Sequence, residues 1–265
     1  MNTSAQGLRV LVTAGAAGIG RAIARTFAVN GARVHICDVA QAALDAFGSE
    51  QPEVSRSLAD VSHTGDVDRL FADVRRELGG LDVLVNNAGI AGPTAKVEDI
   101  QPADWERCIA VDLNGMFYCT RLAMPMLKAN GRERGGSVIN LSSVAGRLGF
   151  GMRTPYAAAK WAVIGFTKSL AVELGPFGIR ANVVAPGAVE GPRMVRVIEA
   201  EAAQRGIPAD VVQREYVESQ SIPRFVKPSE IADMCVFLAS SHASMVNGQV
   251  IAVDGNTETF HIASR

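Results

Sequence analysis

Short β-branched apolar runs alternate with helix-period stretches from one end of the chain to the other, and this alternation constrains the fold more than any other feature. The runs are 8–13 (LRVLVT), 33–38 (RVHICD), a weaker one at 53–59, then 81–89 (LDVLVNNAG), 135–143 (GGSVINLSS), 179–187 (IRANVVAPG) and 248–255 (GQVIAVDG). Most are apolar on both faces, which suits strands covered from both sides. Between them lie helical patterns, among them one with Val67, Leu70, Phe71, Val74 and Leu78 on one stripe, a long one from about Pro102 to Lys128, one from Tyr156 to Leu174, and a mostly helical 190–241. The expected fold is α/β: one doubly wound, parallel, seven-stranded sheet with helices on both faces. No linker or repeat divides residues 1–265, so a single domain is expected.

Composition narrows the function class. A formal net charge of −1 gives no electrostatic footprint for nucleic acid, and no uncharged apolar run is long enough for a bilayer span. Cys37, Cys108, Cys119 and Cys235 show neither C-x-x-C nor C-x-x-H spacing and the histidines are isolated, so neither a disulfide framework nor a metal site is expected. The N-terminal residues carry no secretory pattern, and a cytoplasmic location is the expectation. The N-x-S/T matches at Asn2 and Asn140 therefore carry no glycosylation reading.

The first strand runs into Thr13-Ala14-Gly15-Ala16-Ala17-Gly18-Ile19-Gly20. Glycines at a strand-to-helix turn let backbone N–H groups approach a diphosphate at a helix N-terminus. Asp38 closes the second strand, 18 residues after Gly20. A carboxylate there accepts hydrogen bonds from ribose hydroxyls and repels a 2′-phosphate, and Ala17 puts no basic residue before Gly18. Together these favour NAD over NADP as cofactor.

Thirteen residues after Ser143 stands Tyr156, with Lys160 four further on. Residues i and i+4 share a helix face, so phenol and ammonium enter the same space. A free phenol titrates near ~10, and bringing it to neutrality asks about 4 kcal/mol of its surroundings, within reach of an adjacent cation in a partly desolvated pocket. Such a pair can move a proton to or from an alcohol or carbonyl oxygen.

Taken in order, these motifs resemble the short-chain dehydrogenase/reductase family, over nearly the whole chain. The T-G-x-x-x-G-x-G turn corresponds to Thr13–Gly20, N-N-A-G to Asn86-Asn87-Ala88-Gly89, Y-x-x-x-K to Tyr156 and Lys160, and P-G to Pro186-Gly187. The resemblance implies a Rossmann-type sheet and four catalytic residues: Tyr156 as acid/base, Ser143 steadying the substrate oxygen, Lys160 on the nicotinamide ribose, and Asn114 holding a water that relays protons from Lys160. Ser142 competes with Ser143, but its spacing to Tyr156 is less suitable. By the same resemblance the cofactor touches Gly15, Ala17, Gly18, Ile19, Gly20, Asp38, Asp60, Val61, Asn87, Ala88, Gly89, Tyr156, Lys160, Pro186, Gly187 and Val189. Two positions depart from the family pattern: Ala14 stands where the first glycine falls, and Gly191 where a threonine is common.

The substrate is expected between Tyr156 and a covering segment at about 190–222, with Ser143, Tyr156, Arg147, Arg153 and Arg193 as candidate contacts. An arginine there suits a carboxylate, as in a sugar acid, while Phe150, Met152 and Met194 suit a ring or acyl chain. The leading reading is NAD-dependent interconversion of a secondary alcohol and a ketone on a small sugar acid, polyol or cyclic alcohol. A 3-oxoacyl-[acyl-carrier-protein] reductase is weighed against it by Asp38 and Ala17, and a non-catalytic NAD(P) sensor by the presence of Ser143, Tyr156 and Lys160. The resemblance further implies a homotetramer through the helices near 102–128 and 155–174, with Ala157, Ala158 and Ala162 allowing close packing.

Overall fold

The computed structural model describes residues 5–257; Asn2 lies outside them. Seven strands form one sheet: β1 (Arg9–Thr13), β2 (Arg33–Asp38), β3 (Ser55–Leu58), β4 (Val83–Asn86), β5 (Gly136–Leu141), β6 (Ile179–Pro186) and β7 (Val250–Val253). All neighbours pair in parallel, in the order β3-β2-β1-β4-β5-β6-β7. The order reverses between β1 and β4, which opens a crevice at the carboxyl ends of those strands.

Side-chain alternation divides the core between the two faces. Val10 and Val12 of β1, Val83 and Val85 of β4 and Ile139 and Leu141 of β5 bury on one side with α1 (Gly18–Val29) and α10 (Pro228–Ala239). Leu11, Leu84 and Val138, the intervening positions, bury on the other with α3 (Thr64–Leu78), α5 (Gly115–Lys128) and α7 (Thr154–Leu174). The remaining helices are α2 (Gln41–Glu50), α4 (Pro102–Ile109), α6 (Gly131–Arg134), α8 (Pro192–Arg205) and α9 (Ala209–Glu218). Asn140 is buried within β5, where its amide donates to Thr167.

The long helix expected from Pro102 to Lys128 is interrupted: a π turn, Ala110–Asn114, joins α4 to α5. Such wide turns are enriched at functional sites. The helical stretch after β6 resolves into α8, α9 and α10. The first two form a hairpin with a small core of Ile198, Ala202 and Val212.

His35 of β2 is buried, its ring nitrogens 2.8 Å from Ser55 Oγ and 2.9 Å from Ser57 Oγ. Burial pushes the imidazole down to about 4, although Asp73 and Glu77 pull the other way. The unfolded chain takes up this proton below about pH 6.5 while the fold resists until about 4, so the stabilisation is full above 6.5 and is lost as pH falls through that window. Urea unfolding at pH 7 and pH 4.5 should differ by about 2–3 kcal/mol less in His35→Gln than in the parent protein.

Candidate active site

β1 ends at Thr13, whose hydroxyl accepts hydrogen bonds from the Asn87 and Ala88 N–H groups, both 3.0 Å. The Asn87 amide in turn donates to the carbonyls of Thr13 (3.0 Å) and Ala14 (3.1 Å). These bonds fasten the end of β4 to the glycine turn across the crevice. Ala14 takes φ +49°, the left-handed region, so the turn keeps a glycine-like path with an alanine in it. A Cβ on Gly20 would fall 2.0 Å from the Ala14 carbonyl oxygen, which makes that close approach possible for glycine only.

α1 begins without any side-chain cap on its N-terminal N–H groups and without an acidic residue in its first turn. Gly18, φ +53°, has open space where a Cβ would stand. Unpartnered N–H groups facing open space suit a diphosphate, so the turn fits a dinucleotide. Asp38 lies beside it, Oδ2 accepting from Ala16 N–H and Oδ1 from Ala40 N–H, both 3.2 Å. Burial alone would raise the Asp60 carboxyl; hydrogen bonds from Ser62 and Arg107 outweigh it and hold Asp60 below the usual range. Val61 is buried against Gly115, where any Cβ would meet its side chain at 2.6 Å.

Tyr156 and Lys160 sit in the first turns of α7, and three cations surround the phenol ring. Arg153 Cζ lies 5.3 Å from its centroid, Lys160 Nζ 5.6 Å and Arg193 Cζ 5.8 Å. Lys160 is 4% exposed, and its ammonium donates to the Leu141 carbonyl at 3.2 Å. Ser143 stands at the carboxyl end of β5, its Oγ accepting from Ala145 N–H. The Ser142 hydroxyl, by contrast, is committed to the Lys160 carbonyl at 2.7 Å and anchors α7 to the sheet.

The side chain facing Lys160 is that of Asp112, with Oδ2 3.4 Å from Nζ, and Asn114 makes no side-chain hydrogen bond among the described residues. A sequence signal for Asp112 exists: it lies on the buried stripe Cys108, Asp112, Met116, Cys119, Ala123, as an acid among apolar residues. Burial, then the Asp112 charge, push the Cys108 thiol up to about 11, against Lys160, Arg153 and Arg193.

The three candidate arginines separate. Arg153 is 6% exposed, donates to the Ala91 carbonyl at 2.8 Å, and has an Nε without a partner. Arg193 of α8 donates to the Gly89 carbonyl at 3.0 Å. Arg147 instead pairs with Asp254 at 3.0 Å and lines a different cavity, of about 460 Å³, with Gln220, Ile222 and Arg224. Arg147 thus lines a different cavity from Arg153. A second cavity, about 420 Å³, is lined by Phe150, Met152, Arg153, Glu201 and Tyr216. Its acids are occupied: Arg205 bridges Glu201 and Glu215, and Glu201 also accepts from the Tyr216 hydroxyl at 2.8 Å.

After Pro186, Gly187 donates to the Val253 carbonyl at 3.0 Å, and Val189 bridges to Val226. Gly191, φ +138°, leads into α8.

The sheet order and this site define a nicotinamide-dependent oxidoreductase. A family model described as Enoyl-(Acyl carrier protein) reductase matches residues 14–256. The chain is 39% identical over 248 residues to cis-4-hydroxycyclohexanecarboxylate dehydrogenase of Sinomonas cyclohexanicum, covering 92% of this chain and 94% of that one. It is 36% identical over 256 residues to D-beta-hydroxybutyrate dehydrogenase of Cupriavidus necator, covering 94% and 97%. Among solved structures it matches actinorhodin polyketide ketoreductase with NADPH at a TM-score of 0.90 and 31% identity, covering 96% and 98%. The chain belongs to the short-chain dehydrogenase/reductase family.

Ala14→Gly should relieve the left-handed alanine and stabilise the protein by about 0.5–1 kcal/mol, read as a raised urea midpoint at unchanged slope.

Proposed function

We propose that the protein is an NAD-dependent dehydrogenase of a small secondary alcohol that carries a carboxylate, a hydroxy acid of open-chain or cyclic form. The observation that carries this reading is the placing of Arg153 and Arg193 on the same phenol that Lys160 addresses. A guanidinium with a free Nε, 6% exposed and beside a cavity whose acids are already paired, is a costly thing to bury without an anion to receive it. Relatives named for hydroxybutyrate and hydroxycyclohexanecarboxylate support the same class.

Tyr156 takes the proton of the substrate hydroxyl, and the same phenol returns it in the reverse direction. Ser143, at the end of β5, donates to the substrate oxygen as charge develops there. Lys160 favours the phenolate through its charge and holds the nicotinamide ribose hydroxyls. The nicotinamide supplies the acceptor for the hydride that leaves the carbinol carbon. Gly15, Ala17, Gly18, Ile19 and Gly20 would hold the diphosphate, with Asp38 on the adenosine ribose, Asp60 and Val61 towards the adenine, and Asn87, Ala88, Gly89, Pro186, Gly187 and Val189 along the nicotinamide half. The α8–α9 hairpin covers the substrate. Phe117 of α5 and Trp161 and Val172 of α7 are exposed apolar side chains that suit helix-to-helix packing in a homotetramer.

The test is NADH absorbance across hydroxy acids, their methyl esters, neutral polyols and acyl thioesters. Turnover should require the free carboxylate; ester turnover equal to that of the acid would sink the arginine reading. Tyr156→Phe should lose at least about 10²-fold in kcat while binding NADH as before, and surviving activity would remove the phenol from the chemistry. Asp38→Ser should raise kcat/KM with NADP relative to NAD by roughly tenfold or more, measured with both cofactors.

A further inference from the structure

The turn that follows β5 sets where the Ser143 hydroxyl stands and which way its hydrogen can point. Ser143 Oγ accepts from the Ala145 N–H at 3.2 Å, and the Ser143 carbonyl accepts from the Gly146 N–H at 2.9 Å. A hydroxyl has one hydrogen and two lone pairs, so a lone pair taken up inside the turn leaves the hydrogen to point outward. The turn closes on Arg147, whose N–H donates to the Val144 carbonyl at 3.0 Å. A shift at Arg147 is therefore passed back through these bonds to Oγ.

The two flanks of the turn are supported differently. On one it lies against α7: a Cβ on Gly146 would fall 2.5 Å from the Lys160 carbonyl oxygen, so backbone meets backbone there. On the other it borders the cavity of about 460 Å³, which Arg147 lines together with Asp254. Packing atoms give way to space on that side, and the fixed contact is the ion pair, Arg147 Nη1 to Asp254 Oδ2 at 3.0 Å. Its side chains are 19% and 5% exposed, so water screens it little. Asp254 is in turn a firm anchor. Its Oδ1 accepts from the Asn256 N–H at 2.9 Å, and a Cβ on Gly187 would lie 2.8 Å from its Cα. The pair thus ties the Ser143 turn to the residue just past β7, where the segment after β6 also packs.

We propose that Arg147 and Asp254 are a positioning pair for the reaction: the ion pair fixes the turn after β5 and so aims the Ser143 hydroxyl at the substrate oxygen. This rests on the reading of Ser143 as the donor to that oxygen. Both residues act through the turn, and their effect is felt in the step where charge develops on the substrate. A reacting group misplaced by about 1 Å can cost on the order of 10²-fold in rate. Loosening the turn therefore appears in kcat before it appears in cofactor binding.

A double-mutant cycle between positions 143 and 147 tests this, run with NAD and with the panel alcohol that the parent enzyme oxidises fastest. Arg147→Met should lower kcat roughly tenfold or more, while NADH binding followed by fluorescence stays within about twofold. Arg147→Lys should recover most of the lost rate. Asp254→Asn keeps an acceptor for the Asn256 N–H but not the charge, and should match Arg147→Met. In a Ser143→Ala background Arg147→Met should cost less than about twofold more, because the hydroxyl it aims is gone. Parent kcat in Arg147→Met or in Asp254→Asn overturns the proposal. An equal loss with and without the Ser143 hydroxyl overturns it too and leaves the pair as a general support of the fold. If Arg147→Met does not accumulate as folded protein, Arg147→Gln takes its place in the cycle with the same expected result. Parent turnover in Ser143→Ala alone would instead discard the role of Ser143 on which this proposal stands.

Discussion

A buried ammonium sets the terms for the rest of this molecule. The Lys160 ammonium faces two acceptors, the Leu141 carbonyl at the end of β5 and the Asp112 carboxylate in the π turn, while the Lys160 backbone carbonyl accepts from Ser142, which ties α7 to the sheet. The π turn lies well before the end of β5 in the chain, and α7 follows it. Breaking one partner of a buried pair costs about 3–5 kcal/mol, because the charge left behind has no water to turn to. The parallel sheet is what brings the pieces to one point, since β4 and β5 end side by side and their following segments emerge on the same edge.

The crevice between β1 and β4 depends on a second set of bonds that also cross the sheet order. Thr13 and Asn87 tie two strand ends that diverge as their chains leave for opposite faces. The close approach of Gly20 to the Ala14 carbonyl brings α1 against the turn and leaves its N–H groups facing outward. Alanine at position 14 is tolerated because these bonds over-determine the turn. A residue in an unfavourable conformation persists where its neighbours fix it from both sides.

Much of this was legible in the sequence, and the reasons are physical. Strands buried on both faces must be apolar throughout, so β1, β4, β5 and β6 announce themselves, and β3 (SRSL), at the sheet edge with an exposed arginine, reads weakly. Tyr156 and Lys160 share a helix face by spacing alone. What spacing could not give was the partner of Lys160, because Asp112 and Asn114 are both polar and two apart in a helix whose π turn shifts the register. Only the buried stripe through Cys108, Met116 and Cys119 separates them, and it favours the aspartate. The Arg147 pairing was hidden for a different reason: its partner Asp254 is 107 positions away, and no local pattern announces such a pair.

The same charge accounting bears on what the site selects. In the cavity beside Arg153, Arg205 takes both Glu201 and Glu215, and Glu201 also holds the Tyr216 hydroxyl, whose titration burial and that carboxylate push upward. These groups neutralise one another within the α8–α9 hairpin, whose own core of Ile198, Ala202 and Val212 stands apart from the two cores of the sheet. The hairpin can therefore shift as a body over the proposed substrate without opening either sheet core. Arg153, the residue preceding α7, donates to the Ala91 carbonyl and is not part of that body. In the proposed reading an anion bound to its free Nε would sit against Tyr156, while Arg193 belongs to the covering hairpin.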